Sequence, residues 1–242
     1  MTSFRLAGVD VPRIGLGTNR LRAEHVGFIR DAVAAGIRHI DTAHLYTGGE
    51  SERTIGEALE GVGEEVLVAT KGGYRGARPE ALHAEIEQSL RSLRTEAIGL
   101  YYLHRVDPDT PLEESLGAIK EHVDRGAIRH VGVSAVSVEQ IERARRVVPI
   151  AAVQNEYNLA DRGHDDVIDF CAREGIAFVP YFPLSGDAGP RVAAAAQRLG
   201  VTENAVKLAW LLARAPVVQP IPGTLSVEHV RENLGALELD LG

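Results

Sequence analysis

The chain carries one cysteine, one methionine and one tryptophan among 242 residues, and aromatic residues make up only 5%. A lone Cys171 forms no internal disulfide. With no Cys-x-x-Cys pair and no Cys/His cluster, the sequence lacks the spacing of a structural zinc site. It also lacks an excess of basic residues, since 26 Lys and Arg stand against 34 Asp and Glu, a formal net charge of −8. Nucleic acid and anionic lipid both want a basic footprint, so neither is expected as a partner. No apolar run approaches the roughly 18 residues of a spanning helix. The opening, MTSFRLAGVDVPRIGLG, lacks the basic-then-apolar layout of a signal peptide. A cytoplasmic, monomeric protein with no membrane partner is expected. No Pro/Ser linker or low-complexity stretch divides the chain, so residues 1–242 read as a single domain.

What is present is an alternation. Eight short apolar runs read as strands: Ile14–Thr18, Ile37–Asp41, Val66–Lys71, Ile98–His104, Arg129–Ser134, Ile150–Asn155, Ile176–Tyr181 and Val217–Pro222. Amphipathic segments separate them. Thr110-Pro111-Leu112-Glu113 reads as a capping box with proline at the first helical position, followed by a stripe of Leu112, Leu116, Ile119 and Val123. Ser137 and Gln140 repeat the box. Pro79 opens a helix with the stripe Leu82, Ile86, Leu90 and Leu93. Further helices are expected near 24–35, 51–60, 164–173, 190–198, 202–213 and 226–236. Continuous apolar strands alternating with helices indicate a parallel sheet covered by helices. Strand ends near 41, 71, 104 and 134 repeat at about 30 residues, the length of one strand–helix unit. Eight units make a closed (β/α)₈ barrel, a TIM barrel. Residues 3–12 read as a hairpin around Gly8, placed to cap the barrel bottom. An open doubly wound sheet wants a Gly-rich phosphate turn, and Gly15-x-Gly17-x-x-Arg20 lacks its third glycine.

In such a barrel, chemistry sits at the C-terminal ends of the strands. Asp41 ends the second strand, Tyr46 lies in the loop after it, Lys71 ends the third and His104 ends the fourth. An unperturbed phenol has a pKa of about 10. A lysine cation nearby makes Tyr46 a better acid, and Asp41 holds that lysine charged. His104 is placed to hydrogen-bond a carbonyl oxygen, and as an imidazolium it would offer a second proton source at low pH. Most of the eight other histidines read as surface or structural. A metal-dependent hydrolase is the rival, because strand alternation sends His39 and Asp41 to one face. Against it, Lys71 puts an ammonium where a divalent ion would sit, so no metal site is assigned.

The segments GIRHIDTAHLYTGGESERTIGEAL, VATKGG, IGLYYLHR, HVGVS, AAVQNEYN, PYFPLSG and IPGT…VRENL resemble the aldo-keto reductase superfamily, from about Arg5 to Leu239. The resemblance implies an NADPH-dependent oxidoreductase that reduces small aldehydes and ketones. Tyr46 would be its proton donor, supported by Asp41, Lys71 and His104. It further implies that Ser134 and Gln154 hold the nicotinamide carboxamide, that Tyr181 stacks on the ring, and that Thr18 and Asp41 border the same site. Phe182, Leu184, Ser185, Gly223 and Thr224 would line the pyrophosphate and adenosine end. His229, Glu232 and Asn233 would complete it, with Arg231 as a partial substitute for a missing cation. The family usually has Asn where this chain has Ala135, Lys-Ser where Gly223-Thr224 stand and Arg where His229 stands. The expected preference for NADPH over NADH is therefore modest. Gly73 occupies the place of a common aromatic substrate wall, which implies an open, weakly selective pocket. Some members of the superfamily are redox-sensing channel subunits with little turnover, and that cofactor-binding reading is the first alternative, ahead of the hydrolase.

Overall fold

Residues 2–187 and 189–242 are described by a computed structural model. Strands β1 (Ser3–Leu6) and β2 (Val9–Pro12) pair antiparallel. Ala7 and Gly8 turn the chain with φ of 47° and 81°, the positive pair that matches strand twist in a tight hairpin. Leu6 and Val11 point inward and are buried against Leu67, Ala69, Leu100, Tyr102, Ala152 and Ala177. Those residues fill the interior of the sheet described next, so the hairpin closes its lower end as expected.

Seven parallel strands follow in sequence order: β3 (Leu16–Gly17), β4 (His39–Asp41), β5 (Leu67–Gly72), β6 (Ile98–Leu103), β7 (Ile128–Ser134), β8 (Ile150–Gln154) and β9 (Ala177–Phe178). The strand expected at Val217–Pro222 is different in kind. Its backbone bonds on one side to β9, through Phe178 N to Val217 O and Gln219 N to Phe178 O, both 2.9 Å. On the other side Gly15 N and Gly17 N donate to Pro220 O (3.0 Å) and Pro222 O (3.2 Å). Pro220 and Pro222 accept but have no N–H to give back. That side of the ladder is therefore half made, leaving bridges at Phe178–Val218 and Gly17–Gly223 where a strand was expected. The barrel still closes. At Gly17 an added Cβ would meet Ile221 O at 2.7 Å, so the seam requires glycine.

Nine helices among the described residues cover the sheet: α1 (Val26–Ala34), α2 (Glu50–Leu59), α3 (Pro79–Ser92), α4 (Leu112–Asp124), α5 (Val138–Arg145), α6 (Asp165–Glu174), α7 (Gly189–Leu199), α8 (Glu203–Arg214) and α9 (Val227–Gly235). Stripe residues Leu82, Ile86, Leu112, Leu116 and Ile119 are buried against outward-facing strand residues such as Tyr101, Leu103, Val131 and Val133. Each such side chain contributes roughly 1.5–3 kcal/mol of burial. Ser137 and Gln140 form the expected capping box. The one expected at Thr110 does not form. Pro111 caps α4 without a side-chain bond, and the Thr110 hydroxyl donates to Asp107 Oδ2 instead. Asp107 also accepts Ala77 N and Asp109 N, so it draws Thr110 into the loop and away from the helix.

Candidate active site

Parallel register sets the heights of the site residues. Asp41 pairs with Ala69, Lys71 with Tyr102, and Ser134 with Gln154. Strand alternation turns Asp41, Lys71, Ser134 and Gln154 to one face, at the upper mouth of the barrel. Beneath them the Tyr102 ring fills the interior. Gly132 makes the room, since a Cβ there would stand 2.4 Å from that ring.

Lys71 is fully buried. Its Nζ donates to Asp41 Oδ1 at 2.5 Å and to Thr42 O at 2.6 Å, and lies 5.0 Å from the centre of the Tyr46 ring. Burial alone would lower its pKa. The Asp41 carboxylate and the Tyr46 phenol outweigh that penalty and push the Lys71 pKa above its ordinary value. The other Asp41 oxygen, Oδ2, accepts Gln154 Nε2 at 2.8 Å. Gln154 was assigned by resemblance to the cofactor alone, yet its amide also fixes Asp41. Thr18 similarly donates its hydroxyl to Asp41 O at 2.8 Å. Tyr46 sits on a short 3₁₀ turn, Tyr46–Gly49, in which Thr47 and Gly48 have positive φ. Thr47 Oγ1 donates to Leu21 O (2.8 Å), and Ser51 Oγ joins Thr18 (3.0 Å) and Thr42 (2.8 Å). These bonds tie the Tyr46 turn to the loops that carry Asp41.

His104 lies just beyond β6, its ring 6.0 Å from that of Tyr46 and 4.9 Å from that of Tyr74. Nδ1 is buried without a partner among the described residues, so Nε2 is the nitrogen left to face the cleft. Burial, together with Lys71 and Arg105, depresses its pKa to about 3. The imidazole is therefore neutral across the range in which enzymes are assayed, and the low-pH imidazolium donor expected from sequence is not available there. His39 shares the inward face with Asp41, but its Nδ1 bonds Gln219 Oε1 at 2.8 Å. It serves the seam of the barrel.

A cleft of about 900 Å³ runs from this cluster across the mouth. It gathers Thr18, Asp41, Tyr46, His104, Ser134, Gln154, Tyr181, Phe182, Leu184, Ser185 and Gly223 from the residues singled out in the sequence. Lys71 stands behind Tyr46, outside the lining. Thr224, His229, Glu232 and Asn233 lie past the end of the cleft on or before α9. Thr224 Oγ1 and His229 Nδ1 are 3.2 Å apart, Glu232 accepts the Thr202 hydroxyl, and Asn233 is buried. Arg231 borders a separate surface depression with Phe28 and Asp31.

The loop Phe182–Gly186 is anchored by residues the sequence reading missed. Lys207 on α8 donates to Leu184 O (3.0 Å) and Gly186 O (2.9 Å), and Asn158 Nδ2 donates to Phe182 O (3.2 Å). The sequence signal was a lysine inside the apolar stretch Val206–Leu212. Tyr74, Arg20 and Arg105 also line the cleft. Tyr74, one residue past Gly73, places an aromatic ring on the cleft wall. Ala135, directly after β7, has φ of 55°, a left-handed conformation that asparagine tolerates better than alanine.

The donor set fits a dinucleotide. Ser134, Gln154 and the flat Tyr181 ring lie near the reacting cluster, and a loop with its carbonyls tied back by Lys207 lies at the other end. Among the described residues no group of three His, Cys, Asp or Glu side chains is placed to hold a metal ion, and no helix is long and apolar enough to cross a membrane.

Comparison with known proteins agrees with this geometry. The Aldo/keto reductase family profile matches residues 13–242. The chain is 35% identical to the pyridoxine 4-dehydrogenase of Escherichia coli K12, over 99% of this chain and 94% of that one. A thermostable aldo-keto reductase crystallised with the inhibitor epalrestat is 34% identical, with a TM-score of 0.92 over all of this chain and 96% of that one. An aldo/keto reductase from Klebsiella pneumoniae, crystallised with NADP and acetate, is 30% identical, with a TM-score of 0.90 over 98% and 90%. A buried Asp–Lys pair behind a tyrosine, at the mouth of a closed parallel barrel with this ancestry, makes the chain an oxidoreductase of the aldo/keto reductase family.

Proposed function

We propose that the protein reduces a small aldehyde or ketone to the alcohol at the expense of NADPH, with Tyr46 as the proton donor. The observation that carries this reading is the fully buried Lys71 ammonium, held between Asp41 and Tyr46. The chemistry that a bound reduced nicotinamide supplies is hydride. As negative charge develops on the carbonyl oxygen, Tyr46 Oη gives it a proton, and the adjacent ammonium lowers the cost of the phenolate left behind. Asp41 keeps Lys71 charged, and Gln154 keeps Asp41 in place. Neutral His104 donates a hydrogen bond to the same oxygen through Nε2. Ser134, Gln154 and Tyr181 would hold the nicotinamide end. Phe182, Leu184, Ser185 and Gly223 would flank the phosphates, with Thr224, His229, Glu232 and Asn233 toward the adenosine. With no cation at Gly223 or His229, the preference for NADPH over NADH is small for this family.

The test is a panel of aldehydes and ketones with each cofactor, run on the native enzyme and on Tyr46→Phe. The variant is expected to lose roughly 10²–10⁴ in rate, about 3–5 kcal/mol of barrier, with NADPH affinity little changed. Near-normal carbonyl reduction by Tyr46→Phe at pH 7 would overturn the mechanism. Equal or tighter binding of NADH would overturn the cofactor assignment.

A further inference from the structure

Arg105 follows His104 directly and lines the cleft beside it. Its guanidinium lies 4.7 Å from the centre of the Tyr74 ring, and that ring lies 4.9 Å from His104. Stacking on the ring holds a long side chain in one place at the rim, so little freedom remains to be lost when a ligand binds. Arg105 nevertheless makes no ion pair with any described carboxylate. Many of the other arginines do, including Arg94, Arg125, Arg143, Arg145 and Arg214. The nearest acid in sequence, Asp107, feels the Arg105 charge but is bonded to Ala77 N, Asp109 N and Thr110. Glu156 lines the cleft as well, and its charge acts on Tyr181. Arg20 adds a second rim cation, also without an ion-pair partner among the described residues. In a chain of net charge −8, an oriented guanidinium with no ion pair, two ring contacts from the reacting groups, offers a site for an anion.

We propose that Arg105, braced on Tyr74, binds an oxyanion carried by the carbonyl substrate, so that the preferred substrates are aldehydes or ketones with an acidic group remote from the carbonyl. The proposal rests on the carbonyl-reductase reading above and names its substrate class. Planar, forked donors match both carboxylate and phosphate. The rim location lets the anion stay partly hydrated while the carbonyl reaches Tyr46.

The experiment compares kcat/KM for 4-formylbenzoate with that for its uncharged methyl ester, and for 4-formylphenyl phosphate with that for 4-methoxybenzaldehyde. Each ratio is taken on one enzyme preparation, so it is insensitive to the fraction correctly folded. The wild type is expected to favour the charged member of at least one pair by about tenfold or more. The carboxylate and phosphate arms identify which anion the site prefers. Arg105→Gln is expected to bring the ratio near one, Arg105→Lys to leave it intermediate, and high salt to compress it in the wild type. Equal reduction of charged and neutral members, or a ratio unchanged in Arg105→Gln, removes the anion site and leaves the reductase reading intact. Failure to reduce any of the four compounds with cofactor bound removes that reading and the proposal with it.

Discussion

Removing either member of the Asp41–Lys71 pair leaves the other buried with part of its bonding, and that asymmetry gives a measurable signature. The two are 2% and 0% exposed, and their atoms approach to 2.5 Å. In Lys71→Met, Asp41 retains only the Gln154 amide as a side-chain partner. In Asp41→Asn, the ammonium retains Thr42 O and faces a neutral amide. Breaking a buried pair in this way costs about 3–5 kcal/mol, which for a chain of this length lowers the melting temperature by roughly 6–20 °C. The double variant Asp41→Asn/Lys71→Met leaves no charge at the position of the pair. It is expected to be no less stable than the worse single variant, so the two losses should fall far short of adding. Chemical denaturation of the four proteins at neutral pH measures this coupling. Because the Lys71 pKa is raised, the pair's contribution is complete below the ordinary lysine pKa and fades only as pH rises through the folded value. The two variants that lack Lys71 should both lose about 10²–10⁴ in rate, since neither presents an ammonium beside Tyr46. Strictly additive stability losses, or a folded Lys71→Met enzyme with near-native turnover, would refute the reasoning.

Three other outcomes are expected. Ala135→Asn should raise stability by up to about 1 kcal/mol, because asparagine relieves the left-handed backbone at φ 55°; an unchanged or lower melting temperature would refute the strain. His39 is buried with its pKa depressed to about 4. Its contribution is therefore complete above about pH 6.5 and lost as pH falls toward 4, at about 3 kcal/mol by that point; His104 and His122 act in the same direction. A melting temperature flat from pH 6.5 to 4 would contradict this. Lys207→Met frees the carbonyls of Leu184 and Gly186 and should weaken NADPH binding about tenfold with kcat at saturation little altered; an unchanged Kd in a fluorescence titration would show that the loop needs no anchor.

The order of strands and helices, the hairpin beneath them, and the placement of Asp41, Lys71, His104, Ser134 and Gln154 at strand ends were all legible in the sequence. Each follows from local periodicity, and in a parallel barrel the end of a strand is already a position in space. Val217–Pro222 was legible as an extended segment. Its reduction to two bridges follows from two prolines whose missing N–H groups matter only once β3 lies alongside. The Thr110 box failed for a comparable reason, since Asp107 competes for the hydroxyl from a loop that the i to i+3 pattern does not see. The sequence showed that Gln154 ends a strand, and only packing decided that its amide would hold Asp41, 113 residues away. Packing likewise decided that Lys207 would leave a helix face to hold a loop, and that Tyr74 and Arg105 would stack at the rim. These side chains are chosen by partners distant in sequence, and periodicity carries no information about which distant groups a fold brings within hydrogen-bonding distance.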